Sequence, residues 1–222
     1  MHKSIALLGA TGLIGSHLLD LLLKDESISS LRILVRRPVE TKHPKLQAMV
    51  IDFADLDAFR EGIRGSDAVF CAVGTTRKKV KGDKTAYRNV DYDIPVNAAR
   101  FCAETGVRQF LLVSSVGADS RSGNFYLKLK GEVEEAVKLY EIPSVSFFRP
   151  SMLLGKRNES RPMETLAQAI SKPLSFLFPS LYKPIDAANV ARAMIAVAKQ
   201  VEPGVRIYHY PEIMALAQPL QG

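Results

Sequence analysis

An apolar run that breaks into three glycines, Ile5-Ala-Leu-Leu-Gly9-Ala-Thr-Gly12-Leu-Ile-Gly15-Ser16, constrains the fold more than any other stretch of the chain. The residues ahead of the glycines suit a short buried strand, and Leu18, Leu19, Leu21, Leu22 and Leu23 behind them give a helix its apolar side. Gly9 permits a tight exit from the strand, Gly12 lets backbone N–H groups approach an anion, and Gly15 lets the new helix pack against the sheet. The helix N-terminus adds the positive end of its dipole. Together these features make a cradle for the pyrophosphate of a dinucleotide. The spacing Gly-x-x-Gly-x-x-Gly departs from the ordinary Gly-x-Gly-x-x-Gly, so the order of strand, turn and helix carries the reading rather than the glycines alone.

A chain of 222 residues, 47% of them hydrophobic, can bury a large core within one domain. That domain is expected to span residues 1–222, with residues 151–222 supplying a small substrate-side subregion. The net charge of +7 is dispersed except over Arg77–Lys84, and an anionic cofactor accounts for it as well as nucleic acid would. The basic segment lacks the interleaved aromatics of a single-strand binder, so no nucleic-acid partner is expected. Cys71 and Cys102, both in apolar surroundings, suit reduced thiols in the cytoplasm, and no Cys/His spacing suggests a metal. The apolar N-terminal stretch imitates a signal peptide or a membrane span, but its three glycines, His17 and Asp20 argue against both.

The run Leu31–Val35 predicts a second strand that ends in Arg36-Arg37, roughly 20 residues past the glycine turn, where a dinucleotide fold places its ribose selector. Two guanidiniums there suit the 2′-phosphate of NADP(H); in the plainer reading they cap a strand in solvent. Met49–Ile51 predicts a third strand, Leu56–Ile63 a helix and Ala68–Cys71 a fourth strand. This alternation gives an α/β fold: a doubly wound, mainly parallel Rossmann sheet flanked by helices, with a small C-terminal extension on the substrate side. Asp52 could serve the adenine amine or cap the next turn. Ala72, Val73 and Gly74 leave the fourth strand and are expected to pass beneath the cofactor. The basic segment is either a solvated loop or a device for steering anions.

Thr85–Glu104 predicts one long helix, with a kink or a late start at Pro95. Gln109–Val113 is a fifth strand, followed by Ser114 and Ser115 and then a helix over Phe125–Tyr140. In that helix Tyr126 and Lys130 are one turn apart on one side. An ammonium beside a phenol favours the phenolate, which makes Tyr126 a candidate proton donor for carbonyl reduction, or acceptor for the reverse. A serine hydroxyl from the end of the fifth strand would polarise the carbonyl. Ser115, further out of the strand, is the preferred choice over Ser114.

This order of cradle, serine loop and Tyr-x-x-x-Lys resembles the short-chain dehydrogenase/reductase superfamily from Gly9 through Pro150. The stretches Phe70–Arg77, Ser114–Asp119, Asn124–Glu134, Phe148–Leu154 and Glu159–Pro162 are similar to its atypical branch, which contains the Tat-interacting protein oxidoreductases. Members of that branch bind NADPH and some have regulatory roles. The resemblance implies cofactor contacts at Gly9, Thr11, Gly12, Leu13, Ile14, Arg36, Arg37, Asp52, Gly74, Tyr126, Lys130 and the Arg149-Pro150 turn, and catalytic roles for a serine, Tyr126 and Lys130. In many relatives a helix asparagine relays protons, and Asn89 sits at that place. The serine precedes Tyr126 by slightly less than is usual in the superfamily.

Beyond the sixth strand, Val145–Arg149, too little chain remains for the lid domain of a nucleotide-sugar epimerase, which points to a small substrate or to a site open to partners. Phe176, Leu177, Phe178, Leu181 and Tyr182 either wall a pocket or pack the core. A helix over Ala187–Val201 capped by Asp186 or Asn189, a strand over Val205–Tyr210 and a tail helix from Pro211 complete the chain. The expected function is an NADPH-dependent oxidoreductase acting on a small carbonyl or alcohol; the alternative is a non-catalytic NADPH-binding regulatory or scaffold protein. The sequence does not separate monomer from homodimer.

Overall fold

Seven segments become parallel strands of one sheet: β1 (Lys3–Leu8), β2 (Ile28–Val35), β3 (Leu46–Val50), β4 (Ala68–Cys71), β5 (Gln109–Val113), β6 (Ser144–Phe148) and, late in the chain, β9 (Gly204–Tyr208). The computed structural model describes residues 3–76, 80–155 and 180–218. Arg77, Lys78 and Lys79, the 159–162 stretch, and Phe176, Leu177 and Phe178 lie outside the described residues. The sheet order is β3-β2-β1-β4-β5-β6-β9, and each neighbouring pair runs parallel. The winding reverses between β1 and β4, so a crevice opens beyond the carboxyl ends of those two strands.

Helices cover both faces of the central strands, which is why β1, β4 and β5 are largely apolar rather than alternating. Ile5 and Leu7 face a core shared with α1 (Leu13–Lys24) and α6 (Ala187–Lys199). Ala6 and Leu8 face the opposite core, built with α2 (Leu56–Ile63), α4 (Ile94–Thr105) and α5 (Phe125–Lys138). Leu153–Leu154 (β7) and Ile185–Asp186 (β8) form a separate two-stranded parallel sheet. Asp186, one of the two expected caps, accepts from Ala188 N at 2.8 Å and starts α6.

Three boundaries differ from the sequence reading. The strand β3 begins at Leu46 because it pairs along the sheet edge, where Gln47, Ala48 and Val50 are exposed and leave no apolar run. The last strand stops at Tyr208, and His209 instead caps α7 (Tyr210–Leu216), its N–H donating to Glu212 Oε2 at 3.0 Å. The expected long helix divides, with the late start expected at Pro95, into α3 (Lys84–Arg88), a π-helical segment over Asn89–Asp93, and α4, which has Pro95 in its first turn. Pro95 has no N–H to offer the carbonyl of Asp91, so the regular ladder cannot pass, and the turn ahead of it widens.

Candidate active site

The glycine turn sits at the reversal point. Gly9 has φ +84°, and a Cβ there would lie 2.6 Å from the Ala72 carbonyl carbon; a Cβ on Gly15 would lie 1.9 Å from the Gly9 oxygen. Both glycines are therefore required by close backbone contact between β1, α1 and the segment after β4. Gly12 N donates to Gly9 O at 2.9 Å, and Gly12 caps α1 without a side chain. The turn begins its helical bonding with Ser16 N to Gly12 O at 2.9 Å, leaving the N–H groups of Leu13, Ile14 and Gly15 ahead of that bond. A side chain at position 12 would begin to fill this space, its Cβ already 3.2 Å from Gly9 O. The cradle thus fits a pyrophosphate. Thr11 is exposed beside it.

Arg36 and Arg37 are exposed just past β2, and neither pairs with a described carboxylate. Asp52 caps its own turn, accepting from Ala54 N at 3.0 Å through Oδ1. Ala72 and Val73 are half-buried and Gly74 is exposed; a Cβ on Gly74 would meet only Asp91 Oδ1, at 3.7 Å.

Asn124 starts α5 by accepting from Tyr126 N at 2.9 Å and Leu127 N at 3.2 Å. One turn separates Tyr126 from Lys130, and Lys130 Nζ lies 5.9 Å from the centre of the Tyr126 ring. Tyr126 is 38% exposed, whereas Lys130 is buried. Lys130 Nζ reaches Asp91 Oδ1 at 3.0 Å, and Asp91 Oδ2 accepts from Thr75 N at 2.7 Å. Burial alone would lower the Lys130 pKa, but the Asp91 carboxylate outweighs it and holds the ammonium above its usual value. Asn89, two residues earlier, is exposed. The widened turn ahead of Pro95 brings Asp91, not Asn89, to the lysine.

The two serines are separated by their partners. Ser114 Oγ donates to Glu134 Oε1 at 2.5 Å, within a buried cluster where Arg149 forms a two-pronged pair with the same carboxylate, Nε to Oε1 at 2.9 Å and Nη2 to Oε2 at 2.6 Å. Ser115 Oγ donates only to the neighbouring Val116 carbonyl, at 3.2 Å. Val116 N donates to Pro150 O at 3.0 Å, tying the serine loop to the turn after β6. The Arg149 guanidinium is thus committed to Glu134. Asp91 and Glu134 escaped the sequence reading because an acid within a helix normally faces solvent. The signal for Asp91 was Pro95, four residues on, which forbids a regular turn there.

A cleft of about 470 Å³ opens beside Tyr126 and is also lined by Lys84, Tyr87 and Phe125. Among the described residues no cluster of side chains could hold a metal ion, and no helix is long and apolar enough to cross a membrane. Both cysteines are buried thiols, and burial pushes Cys71 up to about 11.

The family described as NAD(P)H-binding matches residues 9–200. The protein HTATIP2 of Rattus norvegicus is 36% identical over 197 residues, 87% of this chain and 80% of its own. The protein FMP52, mitochondrial, of Meyerozyma guilliermondii is 35% identical over 222 residues, 96% of this chain and 94% of its own. Among solved structures, the Bordetella bronchiseptica enzyme WbmH in complex with NAD+ superposes with a TM-score of 0.74, covering 95% of this chain and 76% of that one. Its 18% identity speaks for the fold alone. With the family match spanning most of its length and these relatives beside it, the chain belongs to the NAD(P)H-binding family, as an atypical short-chain dehydrogenase/reductase of the HTATIP2 branch.

Proposed function

We propose that the protein is an NADP(H)-dependent oxidoreductase that transfers hydride between its cofactor and a small carbonyl compound or alcohol. The observation that carries this reading is the pair Tyr126 and Lys130 on one side of α5, with the Lys130 charge fixed by a buried carboxylate. The cofactor, when bound, supplies the hydride donor or acceptor. The N–H groups of Leu13, Ile14 and Gly15 would hold its pyrophosphate, and Arg36 and Arg37 its 2′-phosphate. The hydroxyl of Tyr126 gives a proton to the substrate oxygen in reduction and takes it back in oxidation. Ser115 donates a hydrogen bond to that oxygen, while Ser114 is held by Glu134. Lys130, anchored by Asp91, orients the ribose hydroxyls. Its buried thiols suit a reducing compartment, and the cytoplasm is our assignment.

Paired titrations with NADPH and NADH, followed by a panel of aldehydes, test the proposal. Tighter binding of NADPH and a loss of turnover of at least about a hundredfold in Tyr126→Phe are expected. Turnover unchanged in Tyr126→Phe would remove the phenol from the mechanism.

A further inference from the structure

The first turn of α5 exposes two large aromatic side chains in succession, Phe125 at 39% and Tyr126 at 38%. Neither is needed to close the core at that point. Phe125 instead meets Tyr87 edge to face, ring centres 5.6 Å apart and planes at 81°, to form an aromatic wall of the cleft. The Tyr87 hydroxyl donates to the Thr75 carbonyl at 3.3 Å, so its polar end is already engaged. The Nζ of Lys84 lies 5.6 Å from the centre of the Phe125 ring and pairs with no described carboxylate. Asp83 also lines the cleft, but its Oδ1 accepts from Thr85 N at 2.8 Å and Ala86 N at 3.2 Å, which directs that charge to the backbone. The described part of the basic segment, 80–84, carries Lys81 and Lys84 against this one carboxylate, so its charge balance at this side of the cleft is positive.

We propose that this cleft takes an aryl carbonyl compound bearing an anionic group, with its ring against Phe125 and Tyr87, its anion at Lys84 and its carbonyl at Tyr126. The inference rests on the oxidoreductase reading above and adds the substrate class to it. About 470 Å³ accommodates a substituted ring, and an aromatic wall favours a flat guest over a flexible chain of equal polarity. In the reduction the carbon–oxygen double bond becomes C–H and O–H. The carbon takes the hydride, the oxygen takes the Tyr126 proton, and reduced cofactor is oxidised in equal amount.

The test compares three probes, 4-carboxybenzaldehyde, benzaldehyde and succinic semialdehyde, in wild type and in Lys84→Met, with NADPH binding to the wild type measured separately. The carboxylated aryl probe should show a KM about fivefold below that of benzaldehyde, the upper end for an exposed ion pair, and also below that of succinic semialdehyde. In Lys84→Met the ratio of the two aryl KM values should fall to about one. Phe125→Ala should raise the KM of both aryl probes alike. Equal KM values in the wild type, a ratio that survives Lys84→Met, or failure to reduce the carboxylated probe while other aldehydes are reduced would each overturn the substrate class and leave the oxidoreductase reading standing. Failure to bind NADPH, or to reduce any aldehyde, would overturn both.

Discussion

Lys130 and Asp91 are withdrawn from water to 7% and 1% side-chain exposure, where neither charge is tolerable without the other. Asp91→Asn leaves the lysine without its counter-charge and should cost about 3 to 5 kcal/mol, read by chemical denaturation. It also frees Lys130 and the Gly74-Thr75 backbone to shift, so turnover of the folded variant should drop about a hundredfold. A variant that loses stability but keeps its turnover would reduce Asp91 to a packing role. Titration of the buried groups adds a pH signature. The folded chain holds the Cys71 proton up to about 11, whereas the unfolded chain releases it from an ordinary value of 9.0. The stability from this thiol is therefore complete below pH 9 and is lost as pH rises toward 11, about 3 kcal/mol in all. Cys102 and Lys130, both raised, add losses of the same sign, Lys130 from above 10.5. Melting temperatures between pH 8 and pH 11 should fall steeply in wild type and less steeply in Cys71→Ala. At this scale the sequence exposed what lies within one helical turn, such as Tyr126 and Lys130. Partners brought from other elements, Asp91 to Lys130 and Arg149 to Glu134, became visible only when the chain was folded.

Among the elements, α5 carries the burden of setting the site, because Tyr126 and Lys130 project from it and the serine loop packs across it. That packing needs Gly131. A Cβ there would lie 2.1 Å from Ser120 N and 2.3 Å from the Asp119 carbonyl carbon, both backbone atoms that cannot rotate away. In an isolated helix glycine is worse than alanine by about 1 kcal/mol, so Gly131→Ala would be stabilising on propensity alone. The contact reverses the sign: the substitution should cost about 2 to 3 kcal/mol by pushing α5 off the loop. Because Ser115 and Tyr126 lie on the two sides of that contact, kcat/KM measured well below the melting temperature should fall too. Alternation of strand and helix was legible because both faces of the central strands are covered, which makes β1, β4 and β5 largely apolar. Pro95 made the break before α4 legible, but not the π-helical register that turns Asp91 to Lys130, since that depends on α3, α4 and α5 packing around it. The exposed edge strand β3 lost its start for the opposite reason, having too few buried residues to leave a pattern.

At the scale of the whole molecule, the sheet order places the Gly9–Gly15 cradle, the Ala72–Thr75 segment, the serine loop and the first turn of α5 along one edge, around the reversal between β1 and β4. The glycine turn and the basic pair after β2 were readable because they are local. The return of residues after 180 was less so: α6 lies along α1, a contact that spans most of the chain, and β9 extends the sheet beside β6. Such a layout couples ligand binding to global stability, since a dinucleotide would bridge the cradle, the Ala72–Thr75 segment and α5 and add to the contacts they already make. At one hundred times its dissociation constant, a ligand that binds only the folded state stabilises by about 2.7 kcal/mol, which for a domain of this size raises the melting temperature by roughly 5 to 10 °C. NADPH should produce that rise. The same concentration of NADH, lacking the phosphate that Arg36 and Arg37 would meet, should produce less, and Arg36→Ala/Arg37→Ala should bring the NADPH shift down to the NADH level. Those two side chains are exposed and pair with no described carboxylate, so removing them leaves the unliganded melting temperature nearly unchanged, and a selective loss of the NADPH response isolates cofactor recognition from folding. Equal shifts with both nucleotides in the wild type would show instead that the guanidiniums stand in solvent, and that the cradle binds either cofactor by its pyrophosphate alone.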